Sequence, residues 1–173
     1  MRAYTFYPIL ILGVILFQSC GGAGDSGQAE DVPSTDSTIV IQGLSKVLSL
    51  KIPKDLFVNS SLDNEFNENF GQIELRLGDS FEIYITEEQL SLLAFREELE
   101  NDQLFSYQFE VESDSELVFQ SILPDGNPHS YQFVKSKSLP GIELIVRTAP
   151  MGNFNQQQLK RMEDAVATLS LAE

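Results

Sequence analysis

The sequence predicts an α+β fold: an antiparallel sheet of about six to seven strands flanked by helices. Three observations point there. Apolar residues alternate with polar ones in several short runs, four such runs follow one another across brief polar turns, and a capped amphipathic stretch closes the chain. Alternation with period two marks a half-buried strand, and short polar turns join antiparallel neighbours.

Taken in order, Leu48, Leu50 and Ile52 alternate with Ser49 and Lys51, and Pro53 ends the run, which predicts a strand with one buried face. Leu62, Phe66 and Phe70 recur at a spacing of four, so residues 61–70 read either as a short helix capped by Ser61 or as an irregular loop. Ile73, Leu75 and Leu77, then Phe81, Ile83 and Ile85, give two further strand patterns with Gly78-Asp79 between them. A tight hairpin is the favoured reading, although the unbroken odd-numbered parity also fits one long bent strand.

Thr86-Glu87-Glu88-Gln89 carries the pattern of a capping box with acidic residues at the positive helix end, predicting a helix from there to about Asn101. Leu92, Phe95 and Leu99 share one side of it. The four-run meander comprises Phe105, Tyr107, Phe109 and Val111; residues 117–122; residues 131–134; and Ile142, Leu144 and Val146. Glu112-Ser113-Asp114-Ser115, residues 124–128 and residues 137–141 separate the runs. Last, Asn155 with Gln158 forms a second capping box, Phe154 can staple onto Leu159, and Leu159, Met162, Val166 and Leu169 make a stripe that should lie on the sheet.

Ahead of the folded region, an apolar stretch from Pro8 to Phe17 ends at Ser19-Cys20-Gly21-Gly22, with Arg2 supplying a positive start. About ten apolar residues are too few to cross a bilayer, which needs about twenty, so the length favours a cleaved leader. The segment resembles the signal peptide and lipobox of a bacterial lipoprotein, in a relaxed form because Phe17 and Gln18 are not small aliphatic residues. An ordinary secretory signal with a chance cysteine is the alternative. The resemblance implies lipid on Cys20 and attachment to a membrane through several acyl chains, each buried methylene contributing about 0.8 kcal/mol. Gly21 stands where inner-membrane lipoproteins often carry aspartate, which favours the outer membrane, in either leaflet. This organises the chain as a leader over residues 1–19, a spacer over 20–37 and one domain over 38–173. The spacer is rich in glycine, serine and aspartate, with an r.m.s. reach of roughly 20–25 Å.

The order of elements, with Leu48-Ser49-Leu50-Lys51-Ile52-Pro53 opening the domain and a closing helix after Ala149-Pro150, is similar to the PsbP-like fold, an α/β/α sandwich. The chain also resembles small uncharacterised bacterial secreted proteins through Leu62-Asp63-Asn64-Glu65, Phe70 and the run ending at Glu87. The PsbP-like resemblance spans about residues 46–169 and implies a non-enzymatic assembly or binding factor. It transfers no binding residue.

Charge narrows the partners. The chain carries −15, from 26 acidic and 11 basic residues, and loss of Arg2 with the leader makes it one unit more negative. Such a polyanion is repelled by phosphate backbones, so no nucleic acid is expected as a partner. Cys20 is the lone cysteine, which leaves no intrachain disulfide.

Candidate chemistry is sparse. His129 is the single histidine, beside Ser130 and four residues after Asp125, but three neighbours on one turn rarely orient as a triad. One histidine is too few for a histidine-based zinc site. Glu110, Glu112, Asp114 and Glu116 share a parity opposite to Phe109 and Val111 and should face solvent, without the spacing of a calcium loop. Glu87, Glu88, Glu97, Glu98 and Glu100 read as the solvated side of a helix. Phe105, Tyr107, Phe109, Phe119, Tyr131 and Phe133 either fill the core or line a cleft for a small apolar ligand. The expectation is a lipid-anchored, non-catalytic binding or assembly module with a protein partner and no cofactor, catalytic set or metal. A periplasmic carrier or sensor of an apolar ligand is the alternative.

Overall fold

The computed structural model describes residues 36–172. Cys20, the leader and nearly all of the spacer lie outside them. The chain runs β1 (Asp36–Ile41), β2 (Leu48–Pro53), a 3-10 turn (Lys54–Phe57), β3 (Leu62–Asn67), β4 (Gln72–Leu77), β5 (Glu82–Thr86) and α1 (Leu92–Glu100). It continues as β6 (Ser106–Glu112), β7 (Glu116–Ile122), β8 (Pro128–Leu139), β9 (Ile142–Thr148), α2 (Gln156–Ala167) and β10 (Ser170–Leu171).

Seven strands form one sheet in the order β3-β4-β5-β9-β8-β7-β6, every neighbouring pair antiparallel. The other three form a separate sheet, β1-β2-β10. The α+β class therefore holds, with a second sheet that the sequence did not announce. β1 begins at Asp36, so the ladder takes in Asp36 and Ser37, which pair with Pro53 and Ile52.

Alternation divides the large sheet into two faces. On one, Ile73, Leu75, Phe81, Ile83, Phe133, Leu144 and Val146 are fully buried and share a core with Leu48, Leu50 and Ile52 of the small sheet and with Leu159, Met162, Ala165 and Val166 of α2. On the other, Leu117, Phe119, Val134 and Ile145 pack with Leu92 of α1.

The 73–85 segment is the hairpin. Ile73 pairs with Ile85 and Arg76 with Glu82, and Gly78 turns the chain at φ 59°, where a Cβ would also meet Ser60 Oγ at 2.6 Å. The four-strand meander and α2 also form as expected. Asn155 Oδ1 accepts from Gln158 N at 2.9 Å and Gln158 Oε1 accepts from Asn155 N at 2.8 Å, which closes the capping box. At the other end, Lys137 Nζ donates to the Val166 and Ala167 carbonyls at 3.0 Å, at the helix end where carbonyls run out of i+4 partners. Burial lowers the pKa of that ammonium, and the charge of Lys135 adds to the effect.

Three expectations fail. Residues 62–67 form neither helix nor loop, and only 68–70 turn: β3 pairs Leu62 with Leu77 and Asn67 with Gln72, because the ladder of β4 has a free edge that outweighs the weak spacing of Leu62, Phe66 and Phe70. Thr86 does not cap a helix. It belongs to β5, paired with Gln72 and Ile145, and its hydroxyl donates to Glu88 Oε1 at 2.8 Å. Ser91 caps α1 instead, accepting from Ala94 N at 3.3 Å. Glu87, placed in that helix by its sequence, accepts from Ser45 N at 2.9 Å and Ser45 Oγ at 2.7 Å, and these bonds lower its pKa. The third failure concerns β6. A bulge between Phe109 and Val111 skips Glu110, so Glu112 pairs with Leu117 and turns to the α1 face.

Candidate functional site

The α1 face has two halves of opposite chemistry. Its β6–β7 half is aromatic because Tyr107, Phe109 and Phe119 alternate out of their strands toward α1. Tyr107 and Phe119 meet edge to face at 5.6 Å and Phe109 lies 5.8 Å from Phe119, arrangements that suit the quadrupoles of the rings. Tyr107 is held at its far end, where the hydroxyl donates to Asp102 Oδ2 at 2.7 Å while Asp102 Oδ1 accepts from Leu104 N at 2.7 Å. Burial and the Asp102 carboxylate push the Tyr107 pKa up, and the hydroxyl in turn lowers that of Asp102. Arg96 of α1 lies 5.1 Å over the Phe109 ring and pairs with Glu100 at 2.9 Å and Glu112 at 2.7 Å. The bulge is what brings Glu112 there.

Between α1 and the sheet is a cavity of about 230 Å³, to whose lining Phe95, Leu99, Tyr107, Phe119, Val134 and Arg147 contribute. Two wider depressions of about 460 Å³ are lined partly by carboxylates, one by Glu87, Glu88 and Glu143, the other by Glu112 and Asp114.

The second half of this face, on β3, β4 and β5, is polar. Register places Asp63, Glu65 and Asn67 beside Arg76, Glu74 and Gln72, and next to them Glu82, Tyr84 and Thr86. Asp63, Glu65 and Arg76 are exposed, and Glu74, Glu82 and Tyr84 half-buried. These side chains hold one another: Asn67 Nδ2 and Gln72 Nε2 both donate to Glu74 Oε1 at 2.8 Å, Arg76 reaches Glu82 Oε1 at 2.6 Å, and Tyr84 donates to the same oxygen at 3.2 Å. Burial raises the Tyr84 pKa, with Glu82 and Glu74 adding to it.

The residues singled out in the sequence are dispersed. Ser130 is buried, its Oγ accepting from Phe154 N at 3.0 Å and donating to the Tyr131 carbonyl at 3.3 Å. His129 stacks on Phe105 at 5.4 Å, and Asp125 bonds the backbone and side chain of Asn127 at 3.0 and 2.8 Å. No triad forms from them. Glu116 does not simply face water: Lys135 bridges it at 2.6 Å and Glu163 of α2 at 3.1 Å. Of the six aromatic residues, Tyr131 and Phe133 pack into the larger core, Tyr107, Phe109 and Phe119 lie on the α1 face, and Phe105 stacks on His129. Arg147 was not foreseen as a cavity residue. Its signal is slight, a single basic position alternating with Val146 and Thr148 in a hydrophobic strand.

Among the described residues, no group of three or more His, Cys, Asp or Glu side chains is arranged to hold a metal ion, and no helix is long and apolar enough to cross a membrane. Comparison with protein-family models, curated proteins and solved structures finds no match to this chain.

Proposed function

We propose that this protein is a lipid-anchored, non-catalytic binding or assembly module of the bacterial envelope, held at the outer membrane by acyl chains on Cys20. The observation that carries the binding role is the polar half of the α1 face. There, acidic and amide side chains of β3, β4 and β5 stand half-exposed in fixed hydrogen-bonded positions. An ordered acidic surface of this kind suits a protein partner with a basic patch, because complementary charge speeds encounter and sets register. The non-catalytic reading is supported by the structural employment of Ser130, His129 and Asp125. The PsbP-like fold belongs to the same proposal, supported by an antiparallel sheet with a helix on each face.

Photocrosslinking from position 63 in intact membranes tests the module. One dominant adduct is expected, and its loss in a Glu65→Lys/Glu74→Lys variant; no specific adduct at native abundance overturns the reading. Metabolic labelling with palmitate tests the anchor, with label expected on the wild type and none on Cys20→Ser.

A second reading, a carrier or sensor of a small apolar ligand, is favoured by the aromatic cavity beneath α1. Native mass spectrometry of the purified chain checks it by the presence of a co-purifying small molecule.

A further inference from the structure

We propose that the cavity beneath α1 is a binding site for a small apolar monocarboxylate, with Arg147 as the residue that receives the carboxylate; this rests on the carrier or sensor reading. The chain is strongly acidic, yet the lining contains no carboxylate, and Arg147 is its one charged contributor. The other arginines among the described residues are neutralised within the fold: Arg76 by Glu82 at 2.6 Å, Arg96 by Glu100 and Glu112, and Arg161 by Asp55 at 2.8 Å. Arg147 has instead the carbonyl oxygen of Gln72, at a long 3.4 Å. That glutamine is turned by its amide, which donates to Glu74 Oε1 at 2.8 Å, so its oxygen is the atom left to face the guanidinium. A half-buried arginine with one weak neutral acceptor retains donors for an anion.

The remaining lining sets the rest of the ligand. Phe95 and Leu99 of α1, Tyr107, Phe119 and Val134 offer rings and branched carbons, beside Pro150 and two polar residues already engaged in the fold, Gln132 on the Pro150 carbonyl at 3.1 Å and Thr148 on Phe133 N at 3.4 Å. The polar group of Tyr107 is already spent on Asp102, which leaves the ring as its contribution. A volume of about 230 Å³ falls below the ~300–1,000 Å³ of sites for drug-sized molecules, so the occupant is a single ring or short chain. The planar fork of a guanidinium matches a carboxylate in a bidentate pair. An aromatic ring bearing a short carboxylate arm combines these demands.

Calorimetric titration of the full chain in lipid nanodiscs, with phenylacetate and its neutral isostere phenylacetamide as probes, decides the matter. Phenylacetate is expected to bind at least tenfold more tightly than the amide. Arg147→Gln should abolish that difference and Arg147→Lys should keep part of it, with unchanged melting temperatures showing that both variants fold. A second variant, Leu99→Trp, should block both probes by filling the cavity. Equal affinity for acid and amide, or undiminished preference in Arg147→Gln, overturns the carboxylate assignment while leaving an apolar carrier in place. Binding of neither probe at millimolar concentration overturns the assignment and the carrier reading together.

Discussion

The two faces of the seven-stranded sheet are built to different standards. Toward α2 and the small sheet, strand alternation delivers an unbroken layer of fully buried Ile, Leu, Val and Phe. Toward α1, the buried set shrinks to Leu92, Leu117, Phe119, Val134 and Ile145, with half-buried aromatics around it. The helices repeat the contrast. α2 buries Leu159, Met162, Ala165 and Val166 and is tied down by its capping box and by Lys137 at its last carbonyls. α1 buries Leu92 alone, leaves Leu93 65 % exposed, and begins on a single 3.3 Å serine cap. One face carries the stability, and the other can therefore be open, polar and hollow. Regions with few buried apolar contacts open most easily, and the cavity lies under such a region.

This contrast can be broken from either side. The largest effect is expected on the α2 face, where Phe81→Ala should lose about 3–5 kcal/mol in urea unfolding, the loss typical of a fully buried ring. Leu92→Ala on the α1 face should cost about 2 kcal/mol, the low end for a buried leucine, since its loosely packed surroundings can relax. Hydrogen exchange should show the same order, with α1 amides exchanging through a local opening that leaves β9 protected. Equal protection of the two would erase the distinction. Smaller still, Asn155→Ala should cost about 1 kcal/mol and Ser91→Ala about half as much, by thermal melting, because one cap is reciprocal and the other a single long bond.

The smallest effect is a pH limb. Asp102 has its pKa lowered by the Tyr107 hydroxyl, so this contribution is present above the ordinary value of 3.8 and is lost as pH falls through the lower folded value. Tyr107→Phe should make the denaturation midpoint fall less steeply below about pH 4. On the alkaline side Tyr107, its pKa raised, contributes fully below the ordinary tyrosine value of 10.0, and that contribution is lost as pH rises toward the folded pKa. The ring should resist ionisation in an absorbance titration, its transition missing from the wild-type curve near the ordinary tyrosine value of 10.0.

What the sequence made legible follows where burial was strongest. α2 declared itself twice, through Asn155 with Gln158 and through its apolar stripe, and both signals point the same way in the structure. The 73–85 hairpin and the meander were likewise readable from unbroken alternation around Gly78 and the polar turns. β3 was not, because an edge strand with exposed Asp63, Asn64 and Glu65 has only one neighbour to impose a pattern. Thr86 misled because a threonine before two glutamates satisfies a helix start and a strand end equally, and the ladder decided between them. The bulge at Glu110 left no trace in the alternation. Without it Arg96 and Glu112 would not meet. The cavity was half visible: Tyr107 and Phe119 were named as rings, whereas Arg147 matters through the carboxylate it lacks, which emerges only once the other arginines are seen with theirs.

The small sheet has a mechanical consequence. Asp36 pairs with Pro53 at one end of β2, and Leu171 pairs with Leu48 at the other. A pull between residues 36 and 171 along β2 therefore loads in shear the six pairs of the β1 ladder and the two of the β10 ladder, instead of peeling them singly.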